Sequence, residues 1–391
     1  MRERSAFEVL VTFLKLGLTS FGGPIAHLGY FREEIVVRRR WVDDAGFTDL
    51  LALCQFLPGP ASTQVGVSLG LVRAGYWGAL AAWTGFTLPS AVLMTIFAWG
   101  AGALSGGLGA GALHGLKLVA VAIVGQAVWG MARTLCPDRP RAAIACVAAV
   151  MVLFGTSSLV QIGAIVWGGV AGLWLCRTAT PLSPGLLGVP VSRRVGAAAL
   201  AGFFVLLVAL PLAAGFSRDV AVFDAFYRSG ALVFGGGHVV LPLLSKAFVT
   251  SGWVSQDSFL AGYGAVQAVP GPLFTFAAYL GAVAGPSPPG IAGAILGLVG
   301  IFLPGMLVLL GALPFWEVLR RRVGAQAVVR GINAAVVGVL GAALYNPLWI
   351  SSIKSSGDFA LALAGFVLLT AWRTPPVVVV ILGVLCGMAL V

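Results

Sequence analysis

The residues that could do chemistry in this chain lie in four short stretches rich in glycine and proline. The first two occupy residues 21–24 (Phe-Gly-Gly-Pro) and 58–60 (Pro-Gly-Pro), and the last two occupy residues 234–237 (Phe-Gly-Gly-Gly) and 270–272 (Pro-Gly-Pro). We number them breaks 1 to 4, because each interrupts an apolar segment. A helix that restarts after such a break presents unpaired N–H groups and about half a positive charge, and glycine lets an oxyanion approach the backbone closely. The pattern predicts a binding site for a small divalent oxyanion that needs no metal.

The breaks recur at a nearly constant spacing. The phenylalanine of break 1 returns 213 residues later in break 3 (234 − 21), and Gln55 returns 212 residues later as Gln267 (267 − 55). Two halves that each interrupt an apolar segment with glycine and proline are typical of a transporter built from internal repeats, with its site at the breaks. The second copy departs from the first at Gly237, which stands where the first copy has Pro24.

Other side chains near the breaks could bind the same anion. Lys15 and Arg228 each lie six residues before a Phe-Gly-Gly motif (21 − 15 and 234 − 228). A cation inside a membrane is a candidate for function unless it snorkels to the interface. Amides and hydroxyls can donate hydrogen bonds to an oxyanion, although both also cap nearby backbone groups. The predicted substrate site consists of Lys15, Gly22, Gly23, Pro24, Gln55, Pro58, Gly59, Pro60, Ser62, Thr63, Arg228, Gly235, Gly236, Gly237, His238, Gln267, Pro270, Gly271, Pro272 and Thr275.

Three residues are candidates for carrying a coupling proton, namely His27, His238 and Glu33. Histidine titrates near neutral pH, and both histidines lie just beyond a break. They do not match each other, because the position equivalent to His27 is Val240 (240 − 27 = 213). A hydrogen-bonded structural histidine is therefore the competing interpretation, and Glu33 also fits a network of charges at the membrane interface.

The elements that must position these residues are membrane helices. The chain of 391 residues is 59% hydrophobic and only 9% charged, whereas ordinary soluble chains carry about 25% charged residues. Apolar runs long enough to cross a lipid bilayer recur along the whole chain. The formal net charge of +11 lies in short clusters between these runs, which indicates the positive-inside pattern rather than a nucleic-acid site. The five cysteines have neither zinc nor redox spacing.

The charge clusters also orient the two halves. We expect homologous repeats over residues 1–178 and 218–391, joined by a linker span within 179–217. The first long span of the first half starts beside Arg73, whereas its counterpart ends at the basic cluster 320–322. The predicted fold class is an all-α polytopic membrane protein with its repeats in inverted topology and its N-terminus in the cytoplasm. Each repeat has broken, re-entrant helical hairpins followed by about four spans, and kinked full spans are the alternative.

These motifs resemble the chromate ion transporter family in its long-chain, two-domain type. The resemblance rests on residues 13–17, 20–24, 27–30, 55–60, 235–238 and 270–272, and it covers nearly the whole chain. It implies a multi-pass secondary transporter in the bacterial inner membrane that exports chromate from the cytoplasm and confers chromate resistance. It also implies competition by sulfate. A transporter or importer of sulfate or of divalent oxyanions more broadly is the alternative.

Two other classes remain open to test. A membrane-embedded enzyme such as a chromate reductase needs a redox cofactor or a thiol pair, and the sequence has no CxxC motif and no glycine-rich strand–helix turn. We therefore expect no catalytic residue, no metal ligand and no cofactor. A channel would need a continuous pore. The expected partners are the chromate or sulfate anion and membrane lipid, and the sequence leaves open whether the chain forms a homodimer.

Overall fold

The computed structural model describes residues 5–101, 107–155, 159–177, 191–284, 290–319 and 322–389, and these residues form helices without strands. The prediction of an all-α chain is confirmed. Three segments that bear on the predicted orientation lie partly outside the described residues, namely the N-terminus, the linker 179–217 and the cluster 320–322.

The helices of the first half and the linker are α1 (Ala6–Thr19), α2 (Gly23–Phe31) with a π-helical extension (Arg32–Arg38), α3 (Asp44–Phe56), α4 (Ala61–Ala101), α5 (Gly107–Leu135), α6 (Arg139–Phe154), α7 (Val160–Leu175) and α8 (Arg193–Ala213). Those of the second half are α9 (Arg218–Ala231), a 3₁₀ turn (Gly237–Val239), α10 (Val240–Leu244), a π turn (Ser245–Val249), α11 (Gln256–Val266), a 3₁₀ turn (Leu273–Thr275), α12 (Phe276–Ala284), α13 (Ile291–Ala312), a 3₁₀ turn (Leu313–Phe315), α14 (Trp316–Leu319), α15 (Val323–Ala343), a π turn (Leu344–Trp349), α16 (Ile350–Ser352), α17 (Ser356–Thr370) and α18 (Pro376–Ala389).

Helices long and apolar enough to cross a membrane occur in both halves. In the described part of the chain there are five, at Ala61–Gly100, Gly109–Leu135, Arg193–Ala213, Ile291–Phe315 and Val323–Ser352. Helices α6 and α7 have 16 residues each. Sixteen helical residues reach about 24 Å, which is less than the hydrocarbon core of about 30 Å.

Helix α4 is a pair of helical arms joined by a tight turn. The backbone leaves the helical region at Gly75, where φ is 64°. A methyl group at Gly70 would overlap the carbonyl of Gly78, although eight residues of straight helix span about 12 Å. The chain therefore folds back at this point. Helices α12 and α13 form the equivalent pair in the second half, where Gly281 meets Gly293.

Break 1 also reverses the chain. Phe13 on α1 contacts Phe31 at the end of α2, with ring centroids 5.4 Å apart. Nearer the start of α1, Glu8 pairs with Arg39 beyond the π-helical extension, at 3.4 Å. Residues before the break thus meet residues after it in antiparallel order. In the first half this favours a re-entrant hairpin over a kinked span.

The chain divides into two compact units that do not follow the sequence repeats. The first unit contains Met1–Thr95, Thr180–Gly237 and Val269–Arg321, and the second contains Ile96–Ala179, His238–Ala268 and Arg322–Val391. Each unit takes elements from both halves of the sequence. The two arms of each broken segment in the second half belong to different units.

Within the first unit, equivalent helices make equivalent contacts. Helix α1 packs on the second arm of α4 through Gly17, where a methyl group would lie 2.8 Å from the carbonyl oxygen of Phe86. Helix α9 packs on α13 through Gly230, which meets the carbonyl of Ile301. The positions correspond, since 230 − 17 is 213 and 301 − 86 is 215. Small residues at these crossings let the backbones approach closely.

Within the second unit, the halves exchange partners. Helix α5 packs against α17 and α18, and α15 packs against α6 and α7. Gly115 meets Gly383 on α18, and Gly331 meets Gly168 on α7. Each contact pairs one half with the other, and the two contacts match by the repeat offset (331 − 115 is 216 and 383 − 168 is 215). This exchange is the pattern of an approximate twofold axis, which an inverted repeat requires.

Candidate functional site

All four breaks lie in the first compact unit, and hydrogen bonds join them in pairs. Break 2 meets break 3 where the N–H of Gly59 donates to the carbonyl of Val233 at 2.7 Å. Break 4 meets break 1 where the N–H of Gly271 donates to the carbonyl of Ser20 at 2.9 Å. The two bonds are copies of each other, since 233 − 20 is 213 and 271 − 59 is 212. Each half therefore holds a break of the other half.

A third contact closes the group. A methyl group at Gly237 in break 3 would lie 3.7 Å from Cγ of Pro24 in break 1 and 3.4 Å from Cδ2 of Leu273 just after break 4. Four helical segments restart at these breaks, namely α2, the first arm of α4, Gly237–Val249 and Leu273–Ala284. Their N-terminal ends, where the helix dipole is positive, lie together in one region.

Glycine is needed at the breaks because the backbone adopts left-handed conformations there. The φ angles are 97° at Gly22, 119° at Gly59, 73° at Gly235 and 104° at Gly271, a region that residues with a side chain rarely enter. Pro24 follows in the first turn of α2, where its missing N–H has no partner to lose. The residue types that mark the motif are thus the ones that its backbone requires.

Helix α13 and the second arm of α4 pack against the breaks. A methyl group at Gly59 would lie 3.0 Å from Cα of Gly305 on α13. A methyl group at Gly271 would lie 2.8 Å from Oγ of Ser90 on the second arm of α4. Gly305 and Ser90 are equivalent positions (305 − 90 is 215), so the support is symmetric like the breaks themselves.

Gln64 is a residue of the site that the sequence analysis missed. It is fully buried, and its Nε2 donates to the carbonyls of Pro58 at 2.8 Å and of Gly305 at 2.9 Å. It therefore fastens break 2 to α13. The available signal was a glutamine inside an apolar helix four residues after Pro60. Its equivalent is Phe276 (276 − 64 is 212), so break 4 lacks this clamp.

Three buried hydroxyls near the breaks have no hydrogen-bond partner among the described residues. They belong to Ser20, Thr63 and Thr87, each no more than 2% exposed. Leaving such a group unpaired costs about 1–3 kcal/mol, so each of these hydroxyls is available to donate to a ligand or a water molecule. Thr63 is among the predicted residues, whereas Ser20 and Thr87 are not. Ser20 could have been found, because it directly precedes break 1.

Other predicted polar residues make local contacts. Ser62 Oγ lies 3.4 Å from Nδ1 of the buried His27. Thr275 donates to the carbonyl of Pro272 at 2.8 Å, which is the capping role that the sequence analysis gave as the competing interpretation. Gln55 is exposed.

Two predicted residues, His238 and Gln267, fall in the second unit. His238 Nδ1 lies 2.7 Å from the hydroxyl of Tyr263 on α11, and Gln267 directly follows the end of that helix. This unit also contains a histidine–carboxylate pair that the sequence analysis did not consider. Nε2 of His114 on α5 lies 2.7 Å from Oδ1 of Asp358, which is 6% exposed.

Lys15 belongs to a network of charges along the first hairpin. Its Nζ lies 3.3 Å from Oε2 of Glu34, which also accepts a hydrogen bond from Arg39 Nε at 2.8 Å. Burial raises the pKa of Glu34, but the hydrogen bonds from Arg39 and Lys15 outweigh this effect and hold the pKa below its usual value. Glu33 pairs with Arg38 at 3.1 Å on the exposed side.

Arg228 is paired in a different way. Its guanidinium donates to Oδ2 of Asp224, one turn earlier on α9. Asp224 is 1% exposed, and its Oδ1 has no partner among the described residues. Asp224 was not among the predicted residues, although an Asp and an Arg four residues apart on one helix are visible in the sequence. Both predicted cations are therefore bound to buried carboxylates, but Glu34 pairs with Lys15, Arg38 and Arg39, whereas Asp224 pairs with Arg228 alone among the described residues.

A helical membrane protein whose two halves exchange contacts around broken helices has the architecture of a transporter built from internal repeats. The sequence model of the family described as chromate transporter matches residues 7–173 and 220–388. The chain belongs to the chromate transporter family, and the resemblance found in its motifs is confirmed. This is a family of transporters rather than of enzymes.

Relatives cover most of the chain. A chromate transport protein of Pseudomonas aeruginosa is 30% identical over 385 residues, which is 96% of this chain and 89% of the relative. A chromate transport protein of Cupriavidus metallidurans is 26% identical over 348 residues, 86% of this chain and 81% of the relative. An uncharacterized transporter of Methanocaldococcus jannaschii is 25% identical over 346 residues, 86% of this chain and 83% of the relative. No solved structure matches the chain.

Proposed function

We propose that this protein is a secondary active transporter that exports chromate from the cytoplasm across the bacterial inner membrane and thereby confers chromate resistance. The observation that carries the proposal is the meeting of the four breaks, which brings four helix N-termini together beside unpaired hydroxyls. Family membership supports an anion as substrate, since relatives named as chromate transport proteins align along nearly the whole chain.

The breaks suit a tetrahedral dianion. Helix N-termini present backbone N–H groups and partial positive charge, so they can replace water around an oxyanion without a metal. The hydroxyls of Ser20, Thr63 and Thr87 add donors that no described residue satisfies. Sulfate has the same shape and charge as chromate, so we expect it to compete for the site.

The membrane potential can supply the driving force for export. Moving one elementary charge across 100 mV is worth about 2.3 kcal/mol, so a dianion leaving a cell that is negative inside gains about 5 kcal/mol. A potential that is negative inside drives a dianion outward whichever way the chain is inserted. The basic clusters around Arg38 and Arg73 favour a cytoplasmic N-terminus.

Transport into inverted membrane vesicles tests this proposal. We expect vesicles that contain the protein to accumulate [³⁵S]-sulfate or chromate, and each anion to inhibit the other. Thr63→Val should lower the rate about tenfold to a hundredfold, because it removes one donor to a charged ligand. Thr19→Val is the matched control, since Thr19 is exposed and donates to the carbonyl of Lys15. Vesicles that take up neither anion above background would refute the proposal.

Growth on chromate separates export from import. Cells that express an exporter should tolerate more chromate, and added sulfate should weaken that protection. Cells that express an importer should become more sensitive to chromate. A flux that follows voltage but shows no saturation by substrate would instead indicate a channel.

A further inference from the structure

We propose that Asp224 is a protonation site that controls whether Arg228 is available to the anion. The inference rests on the proposed function, because it adds a proton to the anion site described above. Asp224 and Arg228 lie one turn apart on the same face of α9, and the guanidinium donates to Oδ2 of the carboxylate. Arg228 lies six residues before break 3 (234 − 228), and its side chain is 44% exposed.

The carboxylate of Asp224 is incompletely satisfied. The residue is 1% exposed, and Oδ1 makes no hydrogen bond with any described residue. A buried ionised carboxylate needs partners for both oxygens, since its lost hydration must be replaced. A proton on this group removes the charge at modest cost. Asp224 is therefore poised between two protonation states in a way that a fully hydrogen-bonded carboxylate is not.

The helices around α9 leave this pair isolated from other charges. Helices α13, α8 and α12 pack most extensively against α9. No titratable residue occurs in Ile291–Ala312, and α12 carries Tyr279 alone. The cations of α8, Arg193 and Arg194, are in its first turn.

The register of α8 against α9 separates those cations from Asp224. Tyr227 on α9 donates to the carbonyl of Phe203 on α8 at 3.0 Å. Position 203 lies nine to ten residues beyond Arg193 and Arg194, or about 15 Å along the helix. On α9 itself, Arg218 donates to the carbonyl of Ala284. Arg228 is thus the cation in contact with Asp224 among the described residues.

Protonation couples the proton to the anion. When Asp224 is ionised, it neutralises the guanidinium, and an incoming dianion must compete with it. When Asp224 is protonated, the whole charge of Arg228 is free to attract the dianion. Each ligand then favours the binding of the other, and this coupling is reciprocal. The two would travel together as one net negative charge, which the membrane potential still drives outward.

Binding of sulfate to the purified full-length protein tests the coupling, because sulfate stays doubly charged from about pH 5.5 to 8.5. In the range where Asp224 ionises, we expect the Kd of the unmodified protein to rise by up to about tenfold per pH unit. In Asp224→Asn, whose amide resembles the protonated acid, the Kd should change less than about twofold over the same range. Asp219→Asn, an exposed carboxylate on the same helix, should keep the slope of the unmodified protein.

Several results would overturn the proposal. A slope that persists in Asp224→Asn would show that another group takes up the proton. If that variant does not fold, calorimetry of the unmodified protein in two buffers of different ionisation enthalpy counts the protons bound with sulfate. About one proton is expected, and none at any pH would exclude the coupling. Failure to bind sulfate or chromate at every pH would instead refute the proposed function itself, and this inference with it.

Discussion

Helices α1 and α9 occupy equivalent places in the two halves, but the cation on each helix forms a different kind of ion pair. Both have 14 residues, both lead into a Phe-Gly-Gly break, and both pack a glycine on a backbone carbonyl of a long helix. Lys15 on α1 joins a network in which the buried Glu34 is shared by several cations. Arg228 on α9 binds a buried acid that has no other partner among the described residues.

The difference separates two kinds of symmetry. Glycine and proline repeat because the backbone of each break demands them, and so the hydrogen bonds between breaks repeat as well. The carboxylate that binds Arg228 does not repeat, since the position equivalent to Asp224 is Val11 (224 − 213). A symmetric backbone thus carries an asymmetric arrangement of charge, and the second half has the group suited to titrate.

The strongest test of the shared backbone is to add a methyl group to each break. Gly59→Ala and Gly271→Ala should each lower the free energy of unfolding by about 2–5 kcal/mol, combining backbone strain with a steric clash. Both should also abolish transport. Melting in detergent and vesicle uptake measure the two effects. Gly202→Ala, which meets nothing within 4 Å on α8, should be neutral. A large effect at only one break would contradict the symmetry.

Replacing Arg228 or Lys15 with a neutral residue tests the difference between α9 and α1. Arg228→Gln leaves Asp224 buried without its partner and should destabilise the protein by about 3 kcal/mol, the low end for a broken buried pair because Arg228 is half-exposed. Lys15→Gln leaves Glu34 bound to Arg39 and should cost less than about 1 kcal/mol. Adding Asp224→Asn to Arg228→Gln should restore most of the loss. Equal losses of thermal stability in Arg228→Gln and Lys15→Gln would show that the ion pairs of α9 and α1 do not differ.

Gln64 tests a further asymmetry between the breaks. Gln64→Leu leaves the carbonyls of Pro58 and Gly305 without this donor and should cost about 2 kcal/mol. Because Phe276 stands at the equivalent position, Phe276→Leu should act only through packing. Denaturation in detergent compares the two. Tolerance of Gln64→Leu with unchanged melting would mean that break 2 needs no clamp.

The smallest expected effect concerns Glu34 and depends on pH. Its pKa is lowered in the folded protein, so its ion pairs stabilise the fold above the unfolded pKa and lose that effect as the pH falls through the folded pKa. Glu34→Gln should therefore cost up to about 1 kcal/mol at neutral pH and nothing in acid. Glu33→Gln, whose carboxylate is exposed, is the control. A melting difference that grows in acid would have the wrong sign.

The breaks were predictable from sequence because their residue types are backbone requirements. A left-handed φ at Gly22 or Gly59 selects glycine whatever surrounds it. The nearly constant offset between the two copies indicates that the motif belongs to an internal repeat and did not arise by chance. The all-α class follows equally directly from composition. Family membership follows from the same motifs, because they combine at a fixed spacing.

Partners in space were harder to predict. Nothing local in the sequence joins Gln64 to Gly305, and nothing local indicates that Lys15 would be paired with Glu34. The compact units also cut across the repeats, because α5 finds its partners in the second half and α15 finds its partners in the first. Periodicity and charge report on one segment at a time, so they do not report which segments share a core.

The exchange of helices between the halves has a consequence for how the protein is made. The first compact unit takes elements up to α14, so the ribosome must translate more than three hundred residues before that unit can close. Until then the nascent chain holds α1 to α4 in the bilayer without their final neighbours. Membrane insertases and quality-control proteases would meet this half-built state during every round of synthesis.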